Sequence, residues 1–296
     1  MLPRTTLFSV YTFLAIFVAI TFIPTDVAHG QDRDTEIQKH WLEVSSQYAK
    51  DMQVRSQSKL KVLEQPIFRH TQSVRGDDIG AIHLWLDEDN RPALIGSIFA
   101  WTKSDTHRMV SIEFHSLMDQ GDITLSHSER QLWNNSLPGI TWKSFPPSMI
   151  PQSTGSTSSM TQARRKLLAR QLSRSFGAET KTPQDKEWKL RFIPTPIYEY
   201  TSNKMKIVYG SIFAFCQGTD SEVLVLIEAN EQSGTITSWR YSLVPFTDYD
   251  AVVTLNGENI WRSPKGQMNE DGKPHFWTLL EESKKPDVEM QTDAPK

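Results

Sequence analysis

The chain has 296 residues, with 32 Lys and Arg against 35 Asp and Glu and a single cysteine, Cys216. A formal charge of −3 argues against the concentrated basic surface that nucleic-acid binding needs, and a lone cysteine excludes an internal disulfide. Stability must come from packing, which the 9 Trp and 14 Phe suit. At the N-terminus, Arg4, an apolar run from Leu7 to Ile23, the helix-breaking Pro24 and the small residues Ala28 and Gly30 predict a signal peptide over 1–30, cut between Gly30 and Gln31. The competing reading is an uncleaved anchor; the Ser, Thr and Tyr in the run and the small-residue exit favour cleavage. The body is then secreted or periplasmic, with no membrane span after the leader. No cysteine follows the apolar run, so lipid attachment at a new N-terminal cysteine is excluded.

Ile37, Trp41, Val44, Tyr48 and Met52 recur at steps of three and four, which predicts a helix with Asp34 as its N-cap. β-rich runs follow near 59–70, 79–87, 92–101 and 109–117. Pro146-Pro147 and the Ser- and Thr-rich stretch 148–159 predict a flexible linker. Met160, Ala163, Leu167, Leu168, Leu172 and Phe176 form a second helical stripe, with Gly177 as the expected C-cap. Further strands are expected near 188–200, 207–215, 222–229, 236–244 and 250–261, and 266–296 reads as a mostly disordered tail. Asp87-Glu88-Asp89-Asn90 and Gln217-Gly218-Thr219-Asp220 read as hairpin turns.

Residues 59–71 laid on 189–201 match without a gap, Pro66 falling on Pro196, an offset of 130. The same offset carries Gly80-Ala81-Ile82-His83-Leu84-Trp85 onto Gly210-Ser211-Ile212-Phe213-Ala214-Phe215. A two-copy period this long predicts an internal duplication rather than a solenoid. The expected fold class is therefore α+β, in two duplicated halves, 31–147 and 160–265, each one helix packed on an antiparallel meander sheet.

The run from Ala163 to Arg170 with Phe176, then Trp188-Lys189-Leu190-Arg191, Pro196-Ile197-Tyr198, Gly210 to Phe215 and Gln217-Gly218-Thr219-Asp220, resembles an uncharacterised family of exported proteins from planctomycete bacteria. The likeness covers most of the mature chain and is strongest over 160–262. It implies a bacterial, exported setting, and brings no catalytic residues with it. After the tyrosine of the second half, Tyr198, the family pattern expects Arg, where this chain has Glu199.

Catalytic, cofactor-binding and metal signatures are not found. His40, His70, His83, His107, His115, His127 and His275 lack zinc-site spacing, although His70, His83 and His115 lie on expected strands that could converge. Gly-x-Ser-x-Gly is absent, Ser97 and Ser211 follow glycine inside strands, and Cys216 reads as a packed thiol. Glu113 and His115 alternate with Ile112 and Phe114 and are assigned to an outer face. Glu228 is the one candidate ligand residue, because strand periodicity sets it on the same face as Leu224 and Leu226. Arg164, Arg165, Lys166, Arg170 and Arg174 make the helix over 160–176 the place for a protein or anionic partner, against the simpler reading of a solvated face. The expected function is a noncatalytic binding or envelope-associated module. The alternative is an extracytoplasmic hydrolase of a polymer or ester, which would need a pocket where His, Glu or Asp from both halves meet.

Overall fold

The computed structural model describes residues 25–72, 77–120, 122–151, 160–182, 186–232, 235–265 and 272–290, with backbone only for 25–34, Gln72, Thr235 and Thr237. The leader residues 1–24, most of the linker and the segments 266–271 and 291–296 lie outside the described residues. The predicted cut at Gly30 falls inside the first helix.

In chain order, helix α1 (Thr25–Asp51) precedes β1 (Gln53–Arg55), β2 (Lys61–Val62), β3 (Phe68–Gln72), β4 (Asp78–Leu86), β5 (Pro92–Thr102) and β6 (His107–Ser116). Then come β7 (Ile123–His127), β8 (Arg130–Asn135), β9 (Lys143–Ser144) and helix α2 (Gln162–Ser173). The remaining elements are β10 (Phe176–Lys181), β11 (Glu187–Lys189), β12 (Arg191–Phe192), β13 (Tyr198–Ser202), β14 (Ile207–Gln217), β15 (Asp220–Gln232), β16 (Thr235–Pro245), β17 (Asp250–Leu255), β18 (Glu258–Ser263), β19 (His275–Lys284) and the short helix α3 (Asp287–Met290).

These strands make four antiparallel sheets. The first large sheet runs β19-β6-β5-β4-β2 with β3 also on β4; the second runs β12-β14-β15-β16-β9 with β13 also on β14. They pack face to face through Ile82, Leu84 and Ile95 of the first and Ile212, Ala214, Leu224 and Leu226 of the second. α1 and the sheet β1-β7-β8 cover the outer face of the first, closing on Trp85, Leu94, Ile98 and Phe114. α2 and the sheet β11-β10-β17-β18 cover the second, over Phe213, Phe215, Val223 and Val225. With both faces covered, the central strands need apolar side chains at consecutive positions, which is why 93–95 and 223–227 are unbroken apolar runs.

The α+β expectation is corrected: the protein is mostly β, with only three α-helices among the described residues. Independent helix-plus-sheet halves do not form, because each large sheet takes its last strand from the other part of the chain. β9 pairs with β16 in the second sheet, and β19 pairs with β6 in the first. Pairings in the two sheets still follow the 130-residue offset, as His70 opposite Gly80 and Tyr200 opposite Gly210 illustrate.

Four local readings also change. The stretch from 275, expected as tail, is strand β19, followed by α3 with Glu289 buried against Trp41 and Arg108. Asp34 lies within α1, not at its start. α2 ends at Ser173, so Gly177 caps nothing; it sits in β10, where an added Cβ would lie 2.8 Å from Thr254 Oγ1. On α2 the core face is Leu168, Ala169 and Leu172, while Leu167 is 57 % exposed, because the helix touches its sheet along a narrow stripe. The start of α2 is capped by Thr161, whose hydroxyl accepts from the Arg164 amide.

Candidate functional site

Glu228 lies where strand parity sets it, on the face of β15 that meets the first sheet, and it is 0 % exposed. A bare carboxylate there would cost several kcal/mol. Its charge is instead fully engaged. Tyr200 Oη donates to Oε1 at 2.8 Å, Arg91 Nε approaches Oε1 at 3.4 Å, and Arg240 donates to Oε2 from Nε at 2.9 Å and Nη2 at 2.6 Å. Arg240 stands directly opposite Glu228 in the β15–β16 register. Arg91 comes from the β4–β5 hairpin and also donates to Asp119 Oδ2 at 2.9 Å, while Trp142 Nε1 donates to Asp119 Oδ1 at 2.8 Å. The Trp142 ring lies under both guanidinium groups, at 4.4 Å from Arg240 and 5.9 Å from Arg91. Two guanidinium groups thus balance two carboxylates. Burial alone would lower the Arg91 pKa; the hydrogen bond to Asp119 and the charges of Glu228 and Asp119 outweigh it and raise it. Burial, reinforced by Glu228, raises Tyr200 well above the usual phenol range, so it stays a donor. Periodicity found Glu228; its partners, scattered over three loops and strands, carry no local signal.

The strand histidines are not brought together. His83 faces α1, within 2.9 Å of Ser45 Oγ, and since that hydroxyl donates to the Ile98 carbonyl, His83 Nε2 is the donor. His70 Nε2 contacts Ser97 Oγ at 3.1 Å. Glu113 and His115, assigned above to an outer face, are buried at 8 % and 2 % exposure. Their strand β6 is not a sheet edge: β19 extends the layer beyond it, and His275 Nε2 lies 2.7 Å from Glu113 Oε1. Burial pushes His115 and His275 down to about 3, so both imidazoles are neutral. Cys216 is buried between the large sheets, and burial lifts its thiol to about 11, which suits a packed rather than a nucleophilic sulfur.

A cleft of about 220 Å³ opens where segment 139–143 passes from the end of β6 to the edge of the second sheet. Its lining joins His115, Thr141 and Lys143 to Tyr241, Trp261 and Arg262. Gly139 makes the passage possible, since a Cβ there would lie 1.9 Å from the Ser116 carbonyl oxygen. That same carbonyl accepts from His115 Nδ1 at 2.7 Å, which leaves Nε2 as the acceptor nitrogen of a neutral ring. Arg262 is matched by Asp250 at 2.5 Å, whereas Lys143 Nζ donates to the Ile260 carbonyl at 3.0 Å. No Asp or Glu lines this cleft among the described residues. Sequence reasoning named His115 but assigned it elsewhere, and it passed over Lys143, Tyr241 and Trp261, which become neighbours only through β9 joining the second sheet.

Outside the cleft, the basic residues of α2 are partly consumed. Lys166 pairs with Glu199 at 2.5 Å, and Tyr209 Oη donates to the same carboxylate at 2.6 Å, so Glu199 anchors the helix to its sheet. Arg164, Arg170 and Arg174 remain exposed around Leu167.

Comparison with known proteins finds no matching family model, no matching curated protein and no matching solved structure. Among the described residues, no helix is long and apolar enough to cross a membrane.

Proposed function

We propose that the chain is an exported bacterial protein that binds a partner at the envelope without turning it over. The observation that carries this reading is the cleft, which offers a cation, aromatic rings and a neutral imidazole, with no Asp or Glu among its described lining residues. General acid–base hydrolysis needs a proton donor and acceptor poised together. The carboxylate closest in character to a catalytic one, Glu228, is bound on both oxygens by protein groups. The leader features and the resemblance to exported planctomycete proteins support the extracytoplasmic setting.

An acidic partner at α2 belongs to the same reading, supported by the exposed Arg164, Arg170 and Arg174 flanking Leu167. The test is expression of the full chain with its leader in a bacterial host, with N-terminal sequencing of the extracytoplasmic fraction and native mass spectrometry of the purified protein. A mature N-terminus at Gln31 and a reproducible extra mass are expected. Retention in the cytoplasm, or release of a hydrolysed product from the captured ligand, would overturn the proposal. Replacing the three exposed arginines by Glu is expected to abolish salt-sensitive retention on dextran sulfate while leaving the melting temperature unchanged.

A further inference from the structure

We propose that the cleft at the β9–β16 seam is a binding site for a single acidic sugar ring, an inference that rests on the binding reading above and names its ligand class. Volume comes first: about 220 Å³ falls below the ~300–1,000 Å³ of sites that enclose drug-sized ligands, which sets the occupant at one ring. Chemistry comes second. Trp261 supplies a partly buried aromatic surface at the cleft, suited to the C–H face of a pyranose. Sugar hydroxyls are both donors and acceptors, and the lining matches both. His115 Nε2 accepts, because Nδ1–H is committed to the Ser116 carbonyl and the ring is neutral. Tyr241 lines the cleft with no hydrogen-bond partner for its hydroxyl among the described residues, and that hydroxyl can hydrogen-bond a ligand hydroxyl. Thr141 and Ser263 add two more hydroxyls.

Charge settles the ligand as an acid. Arg262 is neutralised by Asp250, so the cleft's surplus positive charge is that of Lys143, held over the opening by the Ile260 carbonyl. Among the described residues no carboxylate lines the cleft or pairs with Lys143, so this ammonium favours one carboxylate on the ligand. A neutral sugar would forgo the ion pair with Lys143, and an aromatic acid without hydroxyls would leave the His115 Nε2 and Tyr241 Oη positions without a ligand partner.

The sugar acid could arrive free or as one residue of an acidic polysaccharide, so the test has two arms. Binding of glucuronate and of a short oligouronide to the purified mature chain is followed by tryptophan fluorescence and isothermal calorimetry, with glucose as the neutral control. Saturable binding of glucuronate, at least tenfold tighter than glucose, supports a free-ligand site; binding of the oligouronide alone supports a polymer-residue site. Lys143→Gln is expected to weaken either by tenfold or more, and Trp261→Phe to weaken it several-fold, with unchanged circular dichroism. No binding of either probe at millimolar concentration, equal binding of glucose, or indifference to Lys143→Gln would overturn the assignment. If the native mass still shows a bound species that uronates do not displace, the ligand class fails while the binding reading stands.

Discussion

Glu228 illustrates how one buried carboxylate is made tolerable. Removing its charge while keeping its shape strands Arg240 and weakens the hold on Arg91, although Arg91 keeps Asp119. Glu228→Gln is therefore expected to cost about 3 kcal/mol, toward the low end for a broken buried ion pair because Arg240 is partly exposed. Urea denaturation followed by tryptophan fluorescence measures it, and a loss under about 1 kcal/mol would mean the ion pairs contribute little. Period-two alternation along 223–229 was enough to single out this residue, since a charged side chain on an apolar face is visible in sequence. What alternation cannot show is that Arg91, in a turn 137 residues away, swings beneath it. The β7–β8 hairpin was invisible for a different reason. Its turn residues, Ser128 at φ 47° and Glu129 at φ 65°, hold left-handed backbone without a Gly or Asn to announce it.

At the scale of elements, α1 is fixed to its sheet by the Ser45–His83 hydrogen bond as well as by Trp41 and Ala49. Burial lowers His83 from 6.5 to about 4, so protonation favours the unfolded chain. The contribution of neutral His83 is complete above pH 6.5 and is lost as pH falls toward 4, by up to about 1.4 kcal/mol per pH unit. The wild-type chain should therefore lose about 2 kcal/mol more between pH 7.5 and pH 5 than His83→Gln, which keeps a donor but does not titrate. Parallel urea profiles for the two proteins would contradict this. The helical stripe of α1 was legible because Trp41 and Tyr48 are large and face a sheet over several turns. On α2 the expected stripe took in Leu167 together with Leu168 and Leu172, but only the latter two, with Ala169, join the buried cluster that holds Phe213 and Val225. Two glycines also do their work between strands: Gly96 lies under the Phe114 ring and Gly210 under the Tyr200 ring, each with no room for a Cβ. The second of these close approaches holds the Tyr200 hydroxyl on Glu228.

At the scale of the whole molecule, the two large sheets are locked by matching contacts. Thr219, in the turn after β14, bonds the Thr71 backbone, and Ser202 and the Lys204 amide bond Asp89 in the turn after β4. The exchanged strands complete the lock. A chain ending at residue 271 would lose β19 and α3, uncovering the β6 edge along His107–His115 and leaving Arg108 without Glu289. Such an edge is a template for pairing with another chain, so the truncated protein is expected to elute as aggregate in size-exclusion chromatography where the intact body elutes as one discrete species. A well-behaved monomer would show that β19 is dispensable. The repeat at 130 residues was readable because equivalent strands kept their apolar pattern. The exchange was not, because β9 is two residues long and β19 is charged along its second half, where it forms an outer strand.

The reciprocal placement of β9 and β19 also sets a schedule. The first sheet's main strands leave the ribosome long before residue 275, and at about 5–20 residues per second the wait for its closing strand is on the order of ten seconds. Throughout that interval the β6 edge of the first sheet has no β19 to pair with. The first sheet is therefore completed only after every strand of the second has been made, so the strand that closes it is also the last to be synthesised among the described strands.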